Sequence, residues 1–243
     1  MRAGFGRRAA DYHQQAGLQR AVAWRLAHHI APLPLPPGPA ADLGAGTGLL
    51  GEALQRQGLE RPLLQLDLCP ELLAHNSLAS QHGHCLWDLN GGLPPELRGA
   101  GLLGSSFALQ WLGEPAAALR QWCQALAPGG WLALAVPTAG SFPQWHRAAR
   151  AAEVPFTGLA LPPAPALAAV AHEALAVRHL HQLRFSQRPL DGRRFLGSLR
   201  AIGALTSPAP RLPGDQLRRL LQHWPSDEGV TWEVLMLVGQ RLP

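Results

Sequence analysis

The sequence predicts an α/β fold, a mostly parallel seven-stranded sheet with helices on both faces, from three observations. Short apolar strands alternate with helical patterns from about Leu18 to Val136, a succession that pairs strands in parallel through right-handed crossovers. The first strand, Ala40-Ala41-Asp42-Leu43, runs directly into a glycine-rich turn that opens a helix. A helix starting at Pro115 stops at Pro128-Gly129-Gly130, and a strong apolar strand follows at once. At 243 residues the chain suits one large domain with a well-buried core. Its expected parts are an N-terminal helical lid (1–39), a core (40–140), a cap or substrate insertion (141–205), and a C-terminal helix and strand that complete the sheet (206–243).

Each element has its own signal. Leu18, Val22, Leu26 and Ile30 recur every fourth residue, the stripe of a helix packed on something larger. Prolines from Pro32 to Pro39 end that helix and deliver the chain to the first strand. Leu50 and Leu54 begin the helix after the glycines. Leu63 to Leu68 reads as the second strand, His84 to Leu86 as the third, Gly101 to Ser105 as the fourth and Trp131 to Val136 as the fifth. Prolines between Pro137 and Pro165 interrupt short helical pieces, which places the cap there. Val177 to Phe185 supplies a sixth strand. Phe195, Leu199 and Ile202 share one helical face ending at Gly203, Asp215 is positioned to cap a helix through Leu221, and Thr231 to Gly239 is the final strand.

Composition narrows the function classes. The net charge of +5 comes from arginine alone, since the chain has no lysine. Arginine grips carboxylates and phosphates through a rigid fork, so an acidic partner or an anionic substrate end is compatible. Clusters of exposed aromatic and basic residues are missing, so no nucleic-acid track is expected. The three cysteines, Cys69, Cys85 and Cys123, have no metal-ligand spacing and read as buried thiols, and no metal is expected. No apolar run approaches the ~20 residues of a membrane helix, and the N-terminus lacks a signal-like apolar stretch. A cytoplasmic protein without a membrane partner is therefore expected.

The chemistry centres on Asp42-Leu43-Gly44-Ala45-Gly46-Thr47-Gly48. A strand, a glycine turn and a helix N-terminus let a ligand approach the backbone. A dinucleotide site would place its third glycine five residues after the first, where this chain has Leu49. The G-x-G-x-G spacing, preceded by Asp42, resembles motif I of the Rossmann-like class I methyltransferases, whose cofactor is S-adenosyl-L-methionine. That resemblance covers roughly Ala40 to Val136. It implies that Asp67, at the end of the second strand, holds both ribose hydroxyls and that Asp88, at the end of the third, accepts from the adenine amino group. Asp42, Gly44, Ala45, Gly46, Gly48, Leu68, Leu89 and Ser105 complete the expected cofactor set. The bland alternative is that these acids are exposed strand ends. Leu126-Ala127-Pro128-Gly129-Gly130-Trp131-Leu132 also resembles the turn before the fifth strand of these enzymes.

The segment Ser105-Ser106-Phe107-Ala108-Leu109-Gln110-Trp111 lacks the Asn/Asp-Pro-Pro-aromatic motif that grips a flipped base. It resembles instead the malonyl-acyl-carrier-protein O-methyltransferases of biotin synthesis, the BioC family. Further likeness lies in Phe5-Gly6-Arg7-Arg8-Ala9-Ala10-Asp11-Tyr12 followed by Leu18-Gln19-Arg20, in Ser198-Leu199-Arg200-Ala201-Ile202-Gly203-Ala204, in His223-Trp224-Pro225 and in Thr231-Trp232. The chain departs from the family between Val154 and Ala176, and at Arg200, where lysine is usual. The resemblance implies methylation of the free carboxylate of malonyl-acyl-carrier protein, or of malonyl-coenzyme A, to its methyl ester. Such a carboxylate is ionised at neutral pH, so no general base is needed.

Tyr12, the one tyrosine, is expected to close the pocket and orient the substrate, or else merely to pack the N-terminal helix. Arg7, Gln110, Trp111, Arg193, Arg194 and Arg200 are expected at the substrate, the last three docking an acidic carrier-protein helix or forming an ordinary solvated face. Two other functions stay open: a class I methyltransferase for another small carboxylate or quinone-like metabolite, and a non-catalytic protein that keeps the fold. The histidines show no metal spacing and are assigned no chemistry.

Overall fold

The computed structural model describes residues 5–6, 9–189, 191–205, 207, 209–225 and 227–242. Its strands are β1 (Ala40–Leu43), β2 (Leu64–Asp67), β3 (His84–Leu86), β4 (Ala100–Ser106), β5 (Leu126–Pro137), β6 (Ala176–Pro189) and β7 (Gly229–Gln240). They form one seven-stranded sheet in the order β3-β2-β1-β4-β5-β7-β6. Strands β1 to β5 pair in parallel, while β7 is antiparallel to both β5 and β6. The final strand therefore completes the sheet from within, inserted between β5 and β6. Strand order reverses at β1, whose neighbours are β2 on one side and β4 on the other. The crevice beyond the carboxyl ends of strands at such a reversal is where open α/β sheets bind ligands.

Side-chain alternation explains why the central strands look uniformly apolar. On β5, Ala133 and Ala135 enter one core while Leu132, Leu134 and Val136 enter the other. On β7, Val234, Met236 and Val238 oppose Leu235 and Leu237 in the same way. A strand covered on both faces has no need of a polar side. The first core is roofed by α2 (Gly17–Ile30), through Val22, Leu26 and Ile30, and by α3 (Leu49–Arg56), through Leu50 and Leu54. The second is roofed by α6 (Pro115–Ala125), with Leu119 and fully buried Trp122, and by α8 (Ala164–Ala174), with Leu167 and Val170. The stripe from Leu18 to Ile30 is the helix it predicts, preceded by the short α1 (Ala9–Gln15).

Several boundaries differ from expectation. The segment 141–205 is not a continuous cap: α8 packs beside α6 under the sheet, and β6 is a long edge strand. Among the described residues of this segment, those at the ligand cleft come from Phe142 and α7 (Pro143–Ala151), the chain after it, and α9 (Gly192–Ala201) with the turn that follows. The helix α6 ends at Ala125, and Pro128-Gly129-Gly130 lies inside an irregular start to β5, with a register shift against Ala100 and Leu102. In α10 (Gly214–Gln222) Asp215 sits in the first turn, and the capping position is held by Pro213 with no side-chain cap. Two still shorter helices, α4 (Pro70–Ala74) and α5 (Ser77–His82), separate β2 from β3.

Candidate active site

The carboxyl end of β1 turns sharply because its glycines permit it. Gly44 has φ +74°, and a Cβ there would stand 2.2 Å from the Ala108 Cβ, so that position excludes any side chain. Its amide and that of Ala45 donate to the Leu66 carbonyl at 2.9 and 2.8 Å, fastening the turn to β2. Gly46, at φ +55°, lines the cleft, and a Cβ there would meet nothing nearer than Leu72 Cδ1 at 4.0 Å. Its bare backbone is a cradle for a ligand. Gly48 plays a different part from the expected one. It starts α3 at φ +88°, where a side chain would stand 2.5 Å from Asn76 Oδ1, and it does not line the cleft.

Acidic strand ends surround this cradle. Asp67 accepts from the Gly46 amide and the Cys69 amide, each at 2.8 Å, so its carboxylate is held against the glycine turn. Burial pushes its carboxyl above the ordinary value, while the Cys69, Gly46 and Leu68 amides pull it back. Asp42 is 1% exposed and its Oδ2 has no hydrogen-bond partner. Burial and the neighbouring Asp67 charge push its carboxyl up to about 7, against a hydrogen bond from the Gly51 amide. Asp88 is exposed at the cleft, where its Oδ1 accepts from the Asn90 amide and side chain at 2.9 and 2.8 Å. Ala45, Leu68 and Leu89 line the same cleft.

Ser105 does not belong to this set. Its hydroxyl donates to the Leu43 carbonyl at 2.8 Å and is fully buried between β4 and β1, a structural bond. Side chains alternate along a strand, so it is the next residue, Ser106, that lines the cleft, with a buried hydroxyl lacking a partner.

Beyond the acids the cleft becomes aromatic. Phe107, Phe142, Trp145 and Trp232 wall it, with Leu199 and Ile202 from the far side. Phe142 lies 4.5 Å from Trp232 and 6.3 Å from Trp145, ring centre to ring centre, and Phe107 lies 5.9 Å from Trp232. Phe107 and Phe142 both hold left-handed backbone, at φ 56° and 59°. For a bulky residue this costs on the order of 1–3 kcal/mol. Both are pinned from the sheet, Phe107 N donating to the Ala135 carbonyl at 2.8 Å and Phe142 N to the Thr231 carbonyl at 2.7 Å. The strain fixes two rings on the cleft wall.

Gln110 and Trp111 reach the cleft as expected. Gln110 donates to the Phe107 carbonyl at 2.7 Å, and its buried Oε1 has no partner. Trp111 meets Phe5 edge to face at 5.3 Å. Tyr12, half-buried on α1, packs 6.1 Å from Phe5 and contacts both the large core and the Cys69–Leu72 corner. Burial and the Asp67 charge push its hydroxyl well above the ordinary tyrosine value, so it stays a hydrogen-bond donor. Sequence reasoning missed His13, whose Nδ1 lies 3.2 Å from Thr47 Oγ1 and whose Nε2 lies 3.7 Å from Glu52.

The three arginines of α9 lie apart from the cleft lining. Arg193, Arg194 and Arg200 are exposed on the outer side of α9, opposite buried Phe195 and Leu199, and Arg194 pairs with Asp191 at 3.6 Å. None lines the cleft. Helical spacing at 3.6 residues per turn puts them roughly a third of a turn round from the face that Leu199 presents. Arg7 lies outside the described residues. Cys69 and Cys123 are buried free thiols, while Cys85 is partly exposed, and burial pushes both buried thiols up to about 11. Among the described residues, no helix is long and apolar enough to cross a membrane.

Residues 13–175 match the family model described as a methyltransferase domain. The chain belongs to the methyltransferase domain family. It is 33% identical over 225 residues to a biotin biosynthesis bifunctional protein, BioCD, from Bordetella avium, covering 89% of this chain and 47% of that protein. A malonyl-[acyl-carrier protein] O-methyltransferase from Alcanivorax borkumensis is 35% identical over 59% of this chain and 51% of its own length. The match thus spans about half the length of these two relatives. Another protein of that name, from Salmonella typhimurium, is 27% identical over 98% of this chain and 96% of its own. Among solved structures, a proposed methyltransferase from Bacillus halodurans shares the fold with TM-score 0.64 and 12% identity, over 90% of this chain and 99% of that one. The geranyl diphosphate C-methyltransferase of Streptomyces coelicolor does so with TM-score 0.55 and 12% identity, over 91% and 78%.

The methyltransferase fold and the site agree. An open glycine face at Gly46, the adjacent Asp67 carboxylate and the orphaned Oδ2 of Asp42 fit a ligand that carries hydroxyl donors and a cationic end.

Proposed function

We propose that this protein uses S-adenosyl-L-methionine to methylate the free carboxylate of malonyl-acyl-carrier protein, or of malonyl-coenzyme A, at the start of pimeloyl and biotin synthesis. One observation carries the choice of a carboxylate: among the described residues, the aromatic end of the cleft has no His, Glu or Asp in its lining, and the lining acids Asp42, Asp67 and Asp88 lie at the glycine end. An acceptor with a hydroxyl or amine near neutral pH needs a base to take its proton. A carboxylate does not. The names of the Bordetella and Salmonella relatives support the malonyl choice.

In this reading Asp67 accepts from the cofactor ribose hydroxyls, Asp88 faces the adenine amino group, and the Gly44-Ala45-Gly46 backbone passes beneath the methionine and ribose portion. When bound, S-adenosyl-L-methionine supplies the methyl carbon, the carbon–sulfur pair returning to sulfur as the carboxylate oxygen closes the ester bond, with no proton moved. The protein's work is alignment and exclusion of water, and good orientation supplies on the order of 7–11 kcal/mol. Tyr12 on α1 closes the cleft, and the arginines on α9 offer an acidic carrier protein a surface to dock. Esterification removes a charge that would cost several kcal/mol to bury in the apolar sites of chain-elongating enzymes.

The test is a methyl-transfer assay on malonyl carrier protein, malonyl-coenzyme A, free malonate and a quinone-like acceptor. Transfer to the malonyl thioesters as an alkali-labile ester supports the proposal. Transfer only to the quinone-like acceptor, or to free malonate alone, overturns the malonyl thioester reading.

A further inference from the structure

Resting on that reading, we infer that the acceptor carboxylate is received by neutral donors, the indole N–H groups of Trp145 and Trp232 and the hydroxyl of Ser106, and that its counter-charge comes from the bound cofactor instead of from an arginine. Three observations converge. Among the described residues, the cleft lining contains three aspartates and no arginine or histidine, in a chain without lysine. The anionic groups gather at the glycine end, where they favour a cation. Along the cleft, Ser106 Oγ, which the β1–β4 register sets beside the glycine turn, and Trp145 Nε1 and Trp232 Nε1 on the aromatic wall are buried without partners, and Phe142 stands between the two indoles at 6.3 and 4.5 Å. A buried donor with nothing to donate to costs about as much as a lost hydrogen bond. Trp122 and Trp224 also have unpartnered indoles but lie off the cleft, whereas Ser106, Trp145 and Trp232 all line it, and three such donors along one cleft favour a ligand that accepts.

The chemistry favours this arrangement. A carboxylate clamped by a guanidinium is a stabilised ground state and a weaker nucleophile, because interactions that hold the substrate as firmly as the transition state give no acceleration. Neutral donors in an aromatic wall orient the oxygen more lightly. The reaction also destroys charge, an anion and a cation giving an ester and a thioether. A compartment of low polarity resists separated charges and so favours their loss. The acceptor then has reason to enter only after a cation occupies the glycine end, while the neutral thioether left behind no longer attracts it. Order of binding and product release would follow from where this chain keeps its charges.

The experiment is calorimetric titration of malonyl-coenzyme A into the full chain, alone, with S-adenosylhomocysteine, and with sinefungin, whose ammonium group takes the place of the transferred methyl on a carbon that replaces the sulfur. We expect at least about tenfold tighter binding with sinefungin than with S-adenosylhomocysteine, about 1.4 kcal/mol. Trp145→Phe and Trp232→Phe are each expected to weaken the acceptor severalfold in the sinefungin complex while leaving sinefungin affinity unchanged. The methyl ester of malonyl-coenzyme A, whose carboxylate is esterified and carries no charge, is expected to bind equally with both analogues. Equal affinity of malonyl-coenzyme A for the two complexes, with methyl transfer intact, overturns the inference alone, and its loss in Arg7→Gln would name the cation responsible. No binding with any cofactor form, together with no transfer, sinks the functional reading and the inference with it.

Discussion

His13 Nδ1 stands 3.2 Å from Thr47 Oγ1, a bond that ties the N-terminal helix to the glycine turn cradling the ligand. The same ring reaches Glu52 on α3 at 3.7 Å. The helix that carries Tyr12 is thus anchored to the turn it covers. Removing the imidazole in His13→Ala should cost one bond of about 0.5–1.5 kcal/mol in the closed lid. We expect a roughly twofold to tenfold rise in the cofactor Kd, faster proteolysis near residues 9–16 and little change in Tm. Unchanged protection of that segment would show that the anchor is not what holds it.

The raised carboxyl of Asp42 makes stability depend on pH. In the folded chain it keeps its proton up to about 7, whereas an ordinary aspartate releases it near 3.8, so the folded state binds the extra proton between those limits. Stability of the ligand-free protein should therefore fall as pH rises across that window and level off above it. Asp42→Asn should flatten the fall. Because a bound cation favours the ionised acid, cofactor affinity should rise with pH toward about 7. Calorimetry in buffers of different ionisation heat should detect proton release on binding near pH 6. Binding without proton release there would remove Asp42 from the linkage.

Adjacent serines should separate fold from function. Ser105→Ala loses a fully buried bond to the Leu43 carbonyl, so Tm should drop by about 2–4 °C for a loss near 1 kcal/mol, with kcat retained. Ser106→Ala deletes an unpartnered hydroxyl in the cleft. Its Tm should hold or rise while KM for the acceptor increases. Thermal scans and steady-state kinetics on the pair would expose a reversed assignment.

These two serines also mark how far the sequence could be read. The glycine turn, Asp67 and Asp88 were legible because close backbone approach and strand-end placement fix both residue type and spacing. Which of Ser105 and Ser106 faces the cleft depends on the phase of β4, and a strand buried on both faces carries no polarity from which to read it. The start of β5 was hidden because Pro-Gly-Gly is a local turn signal, yet a Cβ at Gly130 would stand 2.5 Å from the Ala100 carbonyl, so the segment hugs β4 as irregular strand. The aromatic wall was invisible for a topological reason. Phe142 links Trp145 and Trp232 on one wall only because β7 inserts beside β5, and the left-handed backbone of Phe107 and Phe142 is imposed by tertiary contacts that no local pattern announces.

The arginines of α9 are exposed and away from the cleft lining, so they should act on a protein partner without touching the reacting atoms. Charge reversal in Arg193→Glu with Arg200→Glu should raise KM for malonyl carrier protein severalfold and leave that for malonyl-coenzyme A nearly unchanged. Raising salt from about 50 mM to about 500 mM should weaken the carrier protein more, since exposed charges are screened. Equal salt sensitivity of both acceptors would argue for a solvated face with no docking role.

Tyr12 offers two separable contributions, a ring and a hydroxyl. The ring meets Phe5 at 6.1 Å and contacts the large core together with the Cys69–Leu72 corner, so it bridges the N-terminal helix to both. The hydroxyl, pushed up by burial and by Asp67, remains protonated at any pH of assay and can only orient, not remove a proton. Tyr12→Phe keeps the bridge and should fold with an unchanged Tm and a cofactor Kd within about twofold. If the hydroxyl aligns the acceptor, kcat at saturating cofactor should fall up to roughly tenfold, the worth of one hydrogen bond. Tyr12→Ala removes the bridge as well, so its cofactor Kd should rise alongside the loss in kcat. Full kcat in Tyr12→Phe would take the hydroxyl out of the reaction and leave the ring as a latch, a result that kinetics and cofactor titration on the same two variants would distinguish.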